Sequence, residues 1–281
     1  MDTCSIVKTY CLNYIVKRMD YIKNKGRYSE ESITDEIIYQ IKVNNPSDTI
    51  ILHAPNESKT GADIEWWLLD RRTKKAIILR LQAKKLSSKG DYHGINRYVG
   101  SSTSRQIDRL ISGSIKDRAI PLYCFYNFIT PAAFAKNSWT YSDAMKVKSA
   151  IPKKAPAHVK IPETNIKPMN YILDLICSNP SIKAISNNVI KPFIENEEKS
   201  NIIRYKRYSN KHHNRVLDLN DFIHKEKELD KVISAYSGQN NNYQIEAKHL
   251  LITSLSGDIY KPIVDNLKIN KKGIEKGELY P

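Results

Sequence analysis

The feature that most constrains this fold is a pair of apolar segments, residues 63–69 and 76–84, joined by the short polar stretch 70–75. In a strand, successive side chains point to opposite faces, so two adjacent segments of this kind predict an antiparallel β-hairpin. If the turn is symmetric, Asp63 lies opposite Gln82 and Glu65 lies opposite Arg80. The segment therefore predicts a register as well as a hairpin.

The two faces of this hairpin differ in character. One face is apolar throughout and is expected to pack on a helix; it carries Ile64, Trp66, Leu68, Ile77, Leu79 and Leu81. The other face is apolar near the turn and polar at the open end, where it carries Asp63, Glu65, Arg80, Gln82 and Lys84. Buried charge is costly unless it binds something, so this end of the hairpin predicts a functional site.

These residue types suit the hydrolysis of a phosphodiester. Carboxylate and amide oxygens hold a hard cation such as Mg²⁺, which polarises a phosphoryl oxygen and lowers the pKa of a bound water. A nearby lysine orients that water or stabilises the charge of the transition state. For Glu65 and Arg80 an ordinary cross-strand ion pair is an equally good explanation, and the sequence leaves both open.

Periodic patterns around the hairpin predict an α/β fold. Apolar residues at helical spacing predict a leading helix over 5–23 and a second helix over 30–42. A short strand follows at 49–53, and after the hairpin a helix is expected at 101–114 and a buried strand at 121–128.

The pattern weakens near residue 150, which divides the chain into a predicted core, 1–150, and a basic C-terminal extension, 151–281. The extension is expected to bind nucleic acid or to contact a partner or another copy of the chain. It opens on a proline-rich stretch, 150–168, that predicts an extended connection. Beyond it we expect helices at 169–178 and 219–236 and a strand near 246–254.

The string Gly61-Ala62-Asp63, followed by Gln82-Ala83-Lys84, resembles the signature of the PD-(D/E)XK nucleases. The resemblance is strongest to the branch in which Gln replaces the second acid, as in Mrr-type restriction enzymes and bacterial anti-phage effector nucleases. The motifs Gly61-Ala62-Asp63-x-Glu65-Trp66-Trp67 and Pro121-Leu122-Tyr123-x-Phe125-Tyr126-Asn127 also resemble an uncharacterised bacterial family over about residues 29–150. What this implies is a restriction-endonuclease-like core, a mixed central sheet flanked by helices, with a C-terminal α+β extension.

The resemblance also implies an activity: an Mg²⁺-dependent (or Mn²⁺-dependent) endonuclease that hydrolyses DNA, with a role in bacterial anti-phage defence. It assigns Asp63 as the principal metal ligand, Gln82 to the second ligand position and Lys84 as the catalytic lysine. Because Gln82 is neutral, a further carboxylate should complete the site. Glu65 is one candidate and Glu30, on the sheet-facing side of its helix, is another; a first-turn Glu that stabilises the helix dipole is the alternative for Glu30.

The net charge of +15 favours a polyanionic partner. Lys85 and Arg105 follow the catalytic strand and are candidates for contacts with nucleic acid, with a solvated basic face as the alternative. Gln106 is expected to contact a phosphate or to support the metal site, and a plain position on the helix surface is its alternative. A second basic stretch near 204–215 contributes Arg204, Lys206 and Arg207.

Two other functions fit the same residues: a non-catalytic nucleic-acid-binding module on a degenerate nuclease fold, and a metal-dependent RNase toxin. For the endonuclease, a homo-oligomer or an activating partner protein is a further candidate partner besides DNA. No apolar run is long enough to span a bilayer and no signal peptide is recognised, so a cytoplasmic protein without membrane association is expected. The four scattered cysteines are expected to be reduced, buried thiols.

Overall fold

The computed structural model has an α/β fold, a mixed central sheet flanked by helices, as the sequence predicts. The structure describes residues 3–44, 48–53, 62–98, 104–128, 138–152, 158–162, 165–178, 181–185, 187, 219–236 and 247–255.

The helices within these ranges largely follow the predicted pattern. They are α1 (Thr3–Ile6), continued by a π-helical turn (Val7–Cys11) into α2 (Leu12–Lys23), α3 (Glu30–Val43), α4 (Gln106–Lys116), α5 (Ala144–Ala150), α6 (Asn170–Cys177), α7 (Ile182–Ile185) and α8 (Glu226–Tyr236). Helix α3 begins where the sequence indicates, because the Ser29 hydroxyl caps it by accepting from the Ser32 N–H at 2.9 Å. No helix in the described part of the chain is long and apolar enough to cross a membrane.

Eight strands of the described chain form the central sheet. They are β1 (Thr49–His53), β2 (Ala62–Asp70), β3 (Lys75–Lys85), β5 (Ile120–Tyr126), β6 (Trp139–Asp143), β8 (Lys167–Pro168), β9 (His224–Lys225) and β10 (Ala247–Ser254). The order is β1-β10-β2-β3-β5-β6-β8, with β9 paired to the start of β3. Two short strands, β4 (Tyr92–His93) and β7 (His158–Val159), form a separate ribbon.

The predicted hairpin and its register are confirmed. Ile64 lies opposite Leu81 and Glu65 opposite Arg80. The apolar face of the hairpin joins a core shared with α3, and its opposite face, near the turn, is covered by α8. The residues that α8 contributes to that second core are Leu229, Val232, Ile233 and Tyr236. Both faces are thus buried by helices, as the long apolar strands require.

Strand β10 lies between β1 and β2, antiparallel to β1 and parallel to β2. It comes from the segment predicted to be the C-terminal extension, so strands from both sides of residue 150 build one sheet. The edge of β2 that a hairpin alone would leave open is therefore paired.

Several local predictions need correction. Strand β6 and helix α5 were not predicted, because Thr140 and Ser142 interrupt the apolar pattern although both are buried. The helix expected over 101–114 begins at Gln106, with 101–103 outside the described residues. The helix expected over 219–236 is instead a 3₁₀ turn (Leu219–Phe222), strand β9 and helix α8.

The expectation of four reduced thiols is wrong for one pair. Cys4 and Cys177 form a disulfide that joins α1 to α6 across a separation of 173 residues. Cys11 and Cys124 are free and buried, as expected. At such a separation the spacing of the cysteines carries no information on their pairing.

Candidate active site

The candidate site lies at the open end of the hairpin, where the β2–β3 ladder ends at the Ile64–Leu81 pair. Beyond that pair, the Asp63 side chain bonds to the neighbouring strand. Its Oδ2 accepts from the Gln82 side-chain Nε2 at 2.6 Å and from the Ala83 backbone N–H at 2.7 Å. The predicted apposition of Asp63 and Gln82 is therefore present as a direct side-chain contact.

Helix α3 brings an acid to the same place. Glu30 is the first residue of α3, and its Oε1 accepts from the Lys84 ammonium at 2.8 Å. Its Oε2 accepts from the Lys85 backbone N–H at 3.0 Å. Lys84 is only 6% exposed, so this ion pair fixes a nearly buried cation at the end of β3.

Helix α4 supplies a third contact. The Nε2 of Gln106, the first residue of α4, donates to the Gln82 Oε1 at 2.9 Å. The Gln106 backbone N–H donates to the Arg97 carbonyl at 2.8 Å, which anchors the start of the helix. Asp63, Gln82 and Gln106 thus form one line of hydrogen bonds from β2 through β3 to α4.

The electrostatics of Asp63 differ from those of a surface carboxyl. Burial raises its pKa from 3.8 to about 7, and Glu30 adds to the rise, whereas Lys84 and the Ala83 N–H oppose it. The proton is therefore held far more tightly than in water, and a cation placed here would compete with it.

Glu65 is placed elsewhere. Its Oε2 accepts from Arg80 Nη2 at 2.8 Å and from Nε at 3.2 Å, while Oε1 accepts from the Trp67 indole at 2.9 Å. Arg80 Nη1 also donates to Asp117 Oδ2 at 3.1 Å, and both Glu65 and Arg80 are fully buried. The acid that the structure brings to Lys84 is Glu30; Glu65 belongs to a buried network that joins the hairpin to the end of α4.

The residues predicted to contact nucleic acid are only partly brought to the site. Lys85 directs its ammonium to the Tyr28 carbonyl, and Arg105 pairs with Asp108 at 2.8 Å. Gln106 lies in the site itself. Arg204, Lys206 and Arg207 lie outside the described residues.

Sequence reasoning missed a second polar cluster at the same end of the sheet. The buried His249 of β10 bonds His53 of β1, Nδ1 to Nδ1 at 2.9 Å, and its Nε2 lies 3.0 Å from Asp35 Oδ1 of α3. Burial lowers the pKa of His53 to about 4, with further lowering by His249. No local pattern could have joined these three residues, because they come together only through the insertion of β10 beside β1.

A family model matches residues 4–257, spanning nearly all of the described chain. The protein belongs to the DUF6615 family, a family of unknown function. No curated protein matches the chain, and no solved structure does.

The oxygen donors of this DUF6615 chain at the site are of the types that a hard divalent cation prefers. Within the described ranges no three His, Cys, Asp or Glu side chains converge as a metal cage. The oxygens present are the carboxylates of Asp63 and Glu30 and the amide of Gln82. Mg²⁺ is usually held by one or two carboxylates together with water and substrate phosphate oxygens, so this sparse set suits it better than a closed structural site.

Proposed function

We propose that this DUF6615 chain is a cytoplasmic, divalent-metal-dependent endonuclease that hydrolyses DNA, with defence against foreign DNA as its setting. One observation carries the proposal. Asp63 is hydrogen-bonded to Gln82, and Lys84 is ion-paired with Glu30, at the same end of the largely buried sheet. Burial that raises the pKa of this acid lowers the stability of the fold near neutral pH relative to low pH, so its position favours a functional role.

Each residue has a chemical role in this proposal. Asp63, Gln82 and Glu30 would hold Mg²⁺ or Mn²⁺, and the bound cation supplies the positive charge that polarises a phosphate and acidifies a water. Lys84, oriented by Glu30 at 2.8 Å, would donate to a phosphate oxygen as negative charge develops. Because Lys84 is nearly buried, that interaction is less screened than it would be on the surface.

The substrate class rests on charge. A net charge of +15 favours a polyanion, because each neutralised phosphate releases counterions. The same chemistry would cleave RNA, since attack by an activated water needs no 2′-hydroxyl. The test therefore includes both polymers.

Purified protein is incubated with Mg²⁺ or Mn²⁺ and, in parallel, with supercoiled plasmid or with RNA, and the cleavage products of each polymer are quantified. Wild type is expected to cleave, and Lys84→Ala to lose about 100-fold or more in rate, the size of effect seen when one donor to developing charge is removed. The matched control is Lys227→Ala. It removes an exposed lysine of α8, which follows the strand paired to the opposite end of β3, and is expected to cleave as wild type does.

Each other result would count against the proposal in a distinct way. Equal cleavage by wild type and Lys84→Ala would remove the assignment of the site. Salt-sensitive DNA binding without cleavage under either cation would indicate a non-catalytic binding module. Cleavage of RNA alone would show that the substrate is RNA and not DNA.

A further inference from the structure

We propose that Gln106 is a positioning residue that sets the orientation of the Gln82 amide, so that the two amides turn together when a cation binds. The inference rests on the proposed metal site and assigns it a residue on α4 that need not touch the metal. It is carried by the line of hydrogen bonds from Asp63 through Gln82 to Gln106.

In the structure, the Gln82 amide presents its nitrogen to Asp63 and its oxygen to Gln106. Nε2 donates to Asp63 Oδ2 at 2.6 Å and to the Ala83 carbonyl at 3.2 Å, while Oε1 accepts from Gln106 Nε2 at 2.9 Å. This orientation satisfies an ionised Asp63, which only accepts hydrogen bonds. It places an N–H₂ group, which cannot bind a cation, next to Asp63, the proposed principal metal ligand.

To bind a cation beside Asp63, the Gln82 amide must turn and present Oε1. Its N–H₂ group then faces Gln106 and needs an acceptor. Gln82 is 2% exposed, so water does not readily supply one, and a buried donor left unpaired is unfavourable. A glutamine at 106 meets both requirements, because its own amide can turn from donor to acceptor.

The structure holds Gln106 where it can do this. Its backbone N–H is bonded to the Arg97 carbonyl at 2.8 Å, and Tyr98 and Arg105 form a β-bridge just before α4. The side chain is partly exposed, which leaves it room to turn while its backbone stays fixed.

The test measures Mn²⁺ affinity by electron paramagnetic resonance, with no substrate, on the full chain. Gln106→Met keeps length but removes donor and acceptor, and is expected to weaken Mn²⁺ binding about 10- to 100-fold, as loss of a group supporting a ligand does. Gln106→Glu only accepts, so it favours the turned amide and is expected to bind at least as tightly as wild type. Gln82→Glu makes turning unnecessary, so adding Gln106→Met to it is expected to change affinity less than about threefold.

Three results would overturn the proposal while leaving the metal site intact: unchanged affinity in Gln106→Met, equal weakening by Gln106→Glu and Gln106→Met, or full weakening in the Gln82→Glu background. Absence of Mn²⁺ binding by wild type would instead remove the metal site and this inference together. Thermal unfolding of each variant checks the fold, and Gln106→Ala replaces Gln106→Met if the latter does not fold.

Discussion

At the scale of single residues, the site is defined by the burial, charge and hydrogen-bond partners of each side chain. Asp63 is partly buried and carries a raised pKa, and Gln82 lacks the charge that a second acid would carry. Glu30 supplies a carboxylate from a different element and orients Lys84 with it. The sequence alone left both Glu30 and Glu65 open as candidates. The structure distinguishes them. Helix α3 places Glu30 against Lys84 at the end of β3, whereas Glu65 is bonded to Arg80 and Trp67.

The raised pKa of Asp63 predicts two opposite dependences on pH. The folded protein holds this proton more tightly than the unfolded chain, so the stability due to Asp63 is fully present below pH about 3.8 and is lost as pH rises through about 7. Mg²⁺ needs the ionised form, so its affinity should fall about tenfold for each pH unit below 7. Calorimetric titration of Mg²⁺ between pH 5.5 and 8.5 measures the second effect.

Asp63→Asn separates the two contributions. In the metal-free protein, this variant should lose the part of the pH dependence of the melting temperature that lies between about pH 4 and 7. Mg²⁺ should raise the melting temperature of wild type above pH 7 and leave that of Asp63→Asn unchanged. A Mg²⁺ affinity independent of pH would mean that Asp63 is not a ligand.

At the scale of elements, the hairpin was predictable because its information is local. Alternation from Ile64 to Leu69 and from Ala76 to Leu81 fixes both faces, and a one-residue slip would bury the wrong set. Helix α3 was predictable from its cap and apolar stripe. Strand β6 was not, because its buried Thr140 is satisfied by Asn127, whose Nδ2 donates to Thr140 Oγ1 at 2.8 Å.

The network of Glu65, Arg80 and Asp117 joins β2, β3 and the end of α4 beneath the site. Glu65→Ala would leave the buried Arg80 cation without its main partner and the Trp67 indole without an acceptor. Breaking a buried ion pair in this way costs about 3–5 kcal/mol, so a large fall in the urea midpoint is expected.

The control for Glu65→Ala is Asp174→Ala, which removes the solvent-exposed pair between Lys8 and Asp174 and should cost about 1 kcal/mol or less. Glu65 would instead be a metal ligand if Glu65→Ala kept its urea midpoint and lost Mn²⁺ binding. A loss of stability with Mn²⁺ affinity retained below the melting transition supports the structural role.

At the scale of the whole molecule, the least predictable feature is the position of β10. Its apolar run was visible in the sequence, but its insertion between β1 and β2 depends on contacts with residues more than 180 positions earlier. The disulfide between Cys4 and Cys177 was missed for the same reason. Long-range pairing leaves no periodic trace, whereas the alternation of a single strand does.

The position of β10 predicts that residues 1–150 do not fold alone. In the described chain, β1 joins the sheet through β10, and the Trp66 indole donates to the Thr253 hydroxyl at 3.0 Å. Removal of β10 would therefore leave β1 without a partner strand and expose the edge of β2. Loss of α8 would also uncover Trp67 and Leu69.

A chain ended at residue 150 should therefore aggregate or show no cooperative unfolding by circular dichroism. A chain ended at residue 257, where the family match stops, keeps every strand of the sheet that the structure describes and should unfold cooperatively. Cooperative unfolding of the shorter chain would show that the predicted core is stable without β10, and that β10 then serves the geometry of the site rather than the fold.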